Sequence, residues 1–198
     1  MQKRGKGMYK RIGKQTVQLP SAPFILAHAG VAGKKEGEGP LKACFDYISE
    51  DSYFGEKSWE KSESHMIKQC FELACGKART APSELDYIFA GDLLNQCVST
   101  VFAMRESNIP YFGVYGACST MIESLSLAAM TVDGGYANTV CAATGSHFCT
   151  AERQYRFPLE YGGQRPPTGQ WTVTGSGCVM LSKGGHGPRI SRVTPGRI

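Results

Sequence analysis

Within three residues of Gly116 the hydrophobic period of the chain changes from that of a strand to that of a helix. Tyr111 to Tyr115 is an apolar run of strand length that follows Ile109–Pro110. Beyond Gly116–Ala117–Cys118–Ser119–Thr120, the residues Met121, Ile122, Leu125, Leu127, Ala128, Ala129 and Met130 predict a helix that stops at Asp133–Gly134–Gly135. The same alternation appears on either side. A helix capped by Ser58 is predicted through Met66, Ile67, Cys70, Phe71 and Ala74 to a stop at Gly76. Lys61 stands where a capping box would carry Glu or Gln. Leu85 to Ala90 reads as a strand ending at Gly91–Asp92, and Cys97 to Glu106 as a helix with a mixed face. Thr139 to Thr144 is an apolar strand of small residues, and Trp171 to Leu181 a further strand interrupted by Gly175 and Gly177. Such alternation builds βαβ units, so the expected class is α/β, with a mostly parallel sheet covered by helices. The small-residue strand and the glycine pair mark backbones that approach closely near a site.

The first forty residues are less patterned. Phe24 to Ala29 reads as a short strand and Gly30 to Pro40 as a loop. Gly33, Gly37 and Gly39 lack the strand and helix that frame a dinucleotide fingerprint, and the glycines around Lys34 have the wrong spacing for a phosphate loop. With 198 residues, 41% of them apolar, the chain can bury one substantial core. Much of its net charge of +5 comes from Lys3, Arg4, Lys6, Lys10, Arg11 and Lys14, which have no acidic neighbour. Two readings compete there: a solvated basic tail over residues 1–12, or an arm that touches an anionic lipid surface. No amphipathic apolar face accompanies the charges, which favours the tail. Aromatic and basic residues do not interleave along any stretch, so nucleic acid is not expected as a partner.

Eight cysteines, at positions 44, 70, 75, 97, 118, 141, 149 and 178, form no CxxC pair and no zinc-finger spacing with histidine, and no metal site is expected. Most lie in apolar runs, as buried thiols do. Signal-peptide and bilayer-spanning patterns are missing from the sequence, which reads as a cytosolic product with unpaired thiols.

Cys118 is the sharpest chemical feature. It follows a predicted strand and opens a predicted helix, where the helix dipole and unpaired backbone N–H groups favour a thiolate. Gly116 and Ala117 permit a tight turn of the kind that presents nucleophiles. The competing reading is one more buried cysteine among eight. A thiolate nucleophile needs a base within reach, and His147, after the small-residue strand, is placed to face the same crevice. Strand-end histidines also serve as hydrogen-bonded structural groups. Arg153, Arg156 and Arg165 could grip a dicarboxylate through bidentate contacts, or could pair with Glu152 and Glu160 on a surface segment. Both readings of the arginines stay open at this point.

Several motifs, in this order, resemble the stage V sporulation protein AD family. They are Phe89–Ala90–Gly91–Asp92–Leu93–Leu94–Asn95–Gln96, Gly116–Ala117–Cys118–Ser119–Thr120, Thr150 to Pro158, Glu160 to Gln164, and Thr172 to Gly177. The resemblance runs from about Gly13 to the end of the chain and leaves the basic residues before it outside. It implies a thiolase-like fold, of which residues 13–198 would be the first of two α/β halves, with the second half missing. It further implies that Cys118 occupies the nucleophile position of condensing enzymes, which draw a histidine from the second half. It implies a binding role in sporulation and germination: dipicolinic acid, or its calcium chelate, held near Cys118, Ser119, His147, Arg153 and Arg156. No other cofactor is implied. The implied partners are membrane proteins of the spore channel that moves dipicolinate, with the chain peripheral on the spore inner membrane and homodimeric as thiolases are. The alternative is an acyl-transferring condensing enzyme that takes an acyl group from a coenzyme A thioester on Cys118.

Overall fold

The computed structural model describes residues 10–155 and 168–197. Its strands are β1 (Arg11–Ile12), β2 (Thr16–Gln18), β3 (Phe24–Ala32), β4 (Tyr47–Ile48), β5 (Tyr87–Gly91), β6 (Tyr111–Gly113), β7 (Thr139–Ser146), β8 (Gly175–Ser182) and β9 (Arg192–Val193). Its helices are α1 (Lys34–Gly37), α2 (Trp59–Ala78), α3 (Val98–Met104), α4 (Thr120–Asp133) and α5 (Phe148–Tyr155). Six strands form one sheet in the order β4-β3-β8-β7-β5-β6. Five of the six point the same way; β8 alone runs antiparallel, between β3 and β7. The sheet is therefore mostly parallel, as the alternating pattern predicts.

Each face of the sheet carries one long helix. On one side α2 packs Met66, Ile67, Cys70 and Phe71 against Ile88, Cys141, Cys178 and Met180. On the other, Ala128, Ala129 and Val132 of α4 pack against Phe89, Val140, Ala142 and Leu181. The central strand β7 supplies Cys141 and Ala143 to one layer and Ala142 to the other, so its small side chains let both helices approach closely. Ser58 caps α2 by accepting from Lys61 N–H at 3.4 Å. The helix passes Gly76 and ends instead at Arg79, whose left-handed backbone (φ 52°) serves as the cap.

Three local differences from the sequence reading have long-range causes. β3 continues to Ala32 and is followed by the short α1, where a loop was expected, because Val31 and Ala32 find partners on β4 and β8. Arg11 and Ile12, expected in a solvated tail, form β1 because the hairpin β1–β2 is extended by β9 from the far end of the chain. Lys10 adds an anchor by donating to Asp133 at the end of α4, at 2.6 Å. Burial pulls the Asp133 carboxyl upward, but hydrogen bonds from Lys10 and Ser21 win and hold it below its ordinary value. The third difference is α5, a helix over residues to which the sequence reading assigned no element.

Candidate functional site

A cleft of about 690 Å³ opens at the C-terminal ends of β3, β5 and β7, the end at which open α/β sheets bind ligands. Its floor is made of Gly91, Thr144, Gly145, Gly175 and Gly177. Phe45, Tyr155 and Trp171 give it aromatic walls, and the turn before α4 contributes Ala117 and Cys118. At Gly91 the floor needs glycine: a Cβ there would lie 1.8 Å from the Val114 carbonyl oxygen. The close approach lets the strand-to-helix turn sit directly over the end of β5.

That turn is held by a dense set of short bonds. Ala117 takes a left-handed backbone (φ 49°), uncommon for a residue with a side chain. Thr120 Oγ1 donates to the Ala117 carbonyl at 2.8 Å and accepts from Gly116 N–H at 3.1 Å. The Ser119 hydroxyl lies 2.7 Å from the Gly116 carbonyl and 2.5 Å from Glu123 Oε1. The result is a fixed loop that leaves the Cys118 thiol exposed at the cleft wall. Ser119 is occupied within the turn and is not among the cleft's lining residues.

His147 lies elsewhere. Its ring is 2% exposed at the end of β7. Nε2 donates to the Ser52 carbonyl at 2.8 Å, and Nδ1 accepts from Cys149 N–H at 3.2 Å. Both nitrogens are thus engaged in joining β7 and α5 to the loop before α2. Burial lowers the pKa of the ring, with the Ser52 carbonyl opposing, so the neutral form that fits these two bonds is favoured. Arg153 also points away from the cleft: its guanidinium pairs with Glu60 and lies 5.6 Å from the centre of the Trp59 ring. Of the four described residues expected at the site, Cys118, Ser119, His147 and Arg153, the structure brings only Cys118 to the cleft. Arg156 lies outside the described residues, as does Arg165.

Sequence reasoning did not single out Tyr155 and Trp171 as site residues. Tyr155 Oη donates to the Leu93 carbonyl at 2.6 Å and lies 2.6 Å from Tyr115 Oη, which fixes it at the cleft wall. Trp171 packs on Phe148 with ring centres 4.4 Å apart, and the Lys35 ammonium sits 4.3 Å over the Trp171 ring. A lone Trp in a strand-like run gives no sign of such a role.

Two buried carboxyls stand behind the cleft. Asp92 accepts from Leu94 N–H (2.8 Å), Thr100 N–H (2.7 Å) and Thr100 Oγ1 (2.6 Å), and so ties the end of β5 to the start of α3. Burial raises its pKa, against the pull of those three donors. Glu63, on the buried face of α2, has Oε2 2.5 Å from Thr150 Oγ1, which itself lies 2.8 Å from the His147 carbonyl. Thr150 has one hydroxyl proton and a carbonyl to receive it. A protonated Glu63 that donates to Thr150 completes both bonds. Burial drives the Glu63 pKa to about 8, Thr150 opposing and Asp92 adding. Among the described residues, no cluster of three or more His, Cys, Asp or Glu is arranged to hold a metal ion. No described helix is long and apolar enough to cross a membrane.

A two-helix-layer α/β sheet with an exposed cysteine on the turn into α4 defines one half of a thiolase-like fold, and solved structures agree. The chain superposes on 3-oxoacyl-[acyl-carrier-protein] synthase III of Aquifex aeolicus VF5 with a TM-score of 0.53 at 17% identity, covering 81% of this chain and 53% of that one. On OleA of Xanthomonas campestris the TM-score is 0.52 at 12% identity, covering 81% and 56%. Residues 13–198 match the family model of stage V sporulation protein AD, and the chain belongs to that family. It is 40% identical over 189 residues to the stage V sporulation protein AD of Bacillus subtilis (strain 168). The alignment takes in 96% of this chain and 56% of that relative, so the chain spans little more than half the relative's length.

Proposed function

We propose that this chain carries the ligand cleft of a non-catalytic thiolase-fold sporulation protein that binds dipicolinic acid, free or as its calcium chelate. One observation carries the reading: Cys118 is exposed at the wall of a cleft whose floor is glycine-rich and whose aromatic walls are Phe45, Tyr155 and Trp171. A cleft with a glycine floor and aromatic walls suits a small planar ring. The start of α4 offers the positive potential that its carboxylates need, and the Lys35 ammonium stands over the Trp171 ring, outside the cleft lining. Bound calcium would reduce that need.

The partners follow from the same reading. The protein is peripheral on the spore inner membrane, works with the membrane proteins of a dipicolinate channel during sporulation and germination, and is homodimeric as thiolases are. Acyl transfer is the alternative, because the family resemblance implies that Cys118 occupies the condensing-enzyme nucleophile position. Incubation with short acyl-coenzyme A thioesters and peptide mass mapping separates the two. The expected result is an unmodified Cys118, with alkylation of Cys118 by iodoacetamide slowed by dipicolinate. An acyl adduct on Cys118 that turns over would replace this reading by the enzymatic one.

A further inference from the structure

The charges of this chain are sorted by position. All 17 acidic residues fall between Glu36 and Glu160. Neither segment 10–23 nor segment 183–197 contains one, yet both are rich in Lys and Arg. The fold brings these segments together. Leu19 N–H donates to the Ser191 carbonyl, Ile25 N–H to the Pro188 carbonyl and Ile190 N–H to the Pro23 carbonyl, each at 2.9 Å. Together with the sheet β1-β2-β9, these bonds build one pole of the molecule at the start of β3. The exposed cations there are Arg11, Lys14, Lys183, Arg189, Arg192 and Arg197. Lys10 is excluded, since Asp133 neutralises it.

The register fixes what the outer face presents. Val17 and Val193 pair and pack inward on the α4 side of the core. Their neighbours Gln18 and Arg192, and the pair Ile12 and Thr16, therefore face outward. Ile12 is 41% exposed, an apolar tip among the cations. The cleft lies at the opposite end of β3, at Val31, roughly 20 Å of strand away.

We infer that this cation-rich pole, where Asp133 is paired with Lys10, is a docking face for an anionic lipid surface, and that it holds the chain with its cleft turned away from the lipid. The chemistry favours lipid over nucleic acid. Clustered cations with one apolar tip suit a phosphate-headgroup plane, whereas single strands need exposed rings for stacking. Among the described residues of the pole the aromatic ring is Phe24, and Arg189 covers it at 4.0 Å. The inference rests on the peripheral-membrane part of the proposed function and names the face responsible.

The test is flotation of the chain with phosphatidylglycerol-containing vesicles and with pure phosphatidylcholine vesicles. The wild type runs beside the triple variant Lys14→Gln, Lys183→Gln, Arg192→Gln, whose side chains are all exposed. Binding to the anionic vesicles alone is expected, with partitioning lowered roughly tenfold or more by the variant and by about 0.5 M salt. The alkylation rate of Cys118 should be unchanged on the vesicles, and dipicolinate titration of the variant should match wild type. Anionic binding that survives the triple substitution would overturn the face but leave the peripheral reading standing. Absence of vesicle binding, equal binding to neutral vesicles, or stronger retention on single-stranded RNA would overturn the lipid contact itself. Dipicolinate binding is scored separately, so failure of the ligand reading is not confused with failure of this one.

Discussion

Replacing Glu63 with glutamine should remove most of the pH dependence of folding stability between about pH 5 and pH 8. In the folded chain the carboxyl is held neutral to about pH 8, first by burial and then by the neighbouring Asp92. In the unfolded chain it ionises near its ordinary value, about 4.3. Between those two values the folded state binds more protons than the unfolded state, so stability falls as pH rises. A displacement of this size amounts to about 5 kcal/mol across the window, comparable with the whole stability of a small domain. Glutamine keeps the shape, cannot ionise, and can donate to Thr150 as the protonated acid does. Urea unfolding at several pH values should therefore give a steep decline for the wild type and a much shallower dependence for Glu63→Gln, in which Asp92 and His147 still titrate. Parallel lines would show that Glu63 is not the buried acid described here.

Among the described glycines, Gly91 is where an added methyl group should be most damaging, as Gly91→Ala. The added carbon would lie 1.8 Å from the Val114 carbonyl oxygen and 2.9 Å from Thr120 Cγ2. The first of these neighbours is backbone, so no side-chain rotation relieves it. Overpacking of this kind costs about 3 kcal/mol or more, and relief would require the Cys118 turn to move off β5. Gly76→Ala is the matched control. Its Cβ would meet nothing within 4 Å on a helix, where alanine is favoured over glycine by up to about 1 kcal/mol. The same substitution should thus have opposite signs at the two sites in urea unfolding. A loss under about 1 kcal/mol at Gly91 would mean that the turn is looser than its contacts indicate.

The parts legible in the sequence were those set by local period and by caps. Ser58, the apolar face of α2 and the break at Gly116 each identify their element from a few adjacent residues. The parts that were not legible depend on partners far along the chain. β1, β2 and β9 are two or three residues each and exist because residues near 12 meet residues near 193. The direction of β8 leaves no mark on its side-chain alternation. At the site, the strand–turn–helix placement of Cys118 was readable, and the exposed thiol follows from it. The roles of His147 and Arg153 were not. A ring at the end of β7 can face the cleft or the loop before α2, and the Ser52 carbonyl decides for the loop. Arg153 sits on an unpredicted helix, α5, which directs it to Glu60.

The most direct measurement is calorimetric titration of dipicolinate, with and without calcium, into the wild-type chain and two variants. Cys118→Ala removes the thiol at the cleft wall. Gly177→Val places bulk on the cleft floor, where a Cβ would meet nothing within 4 Å. Saturable binding to the wild type is expected, weakened roughly tenfold or more by each variant, a loss of about 1.4 kcal/mol or greater. No binding to the wild type, or binding that neither variant alters, would contradict the proposed ligand cleft.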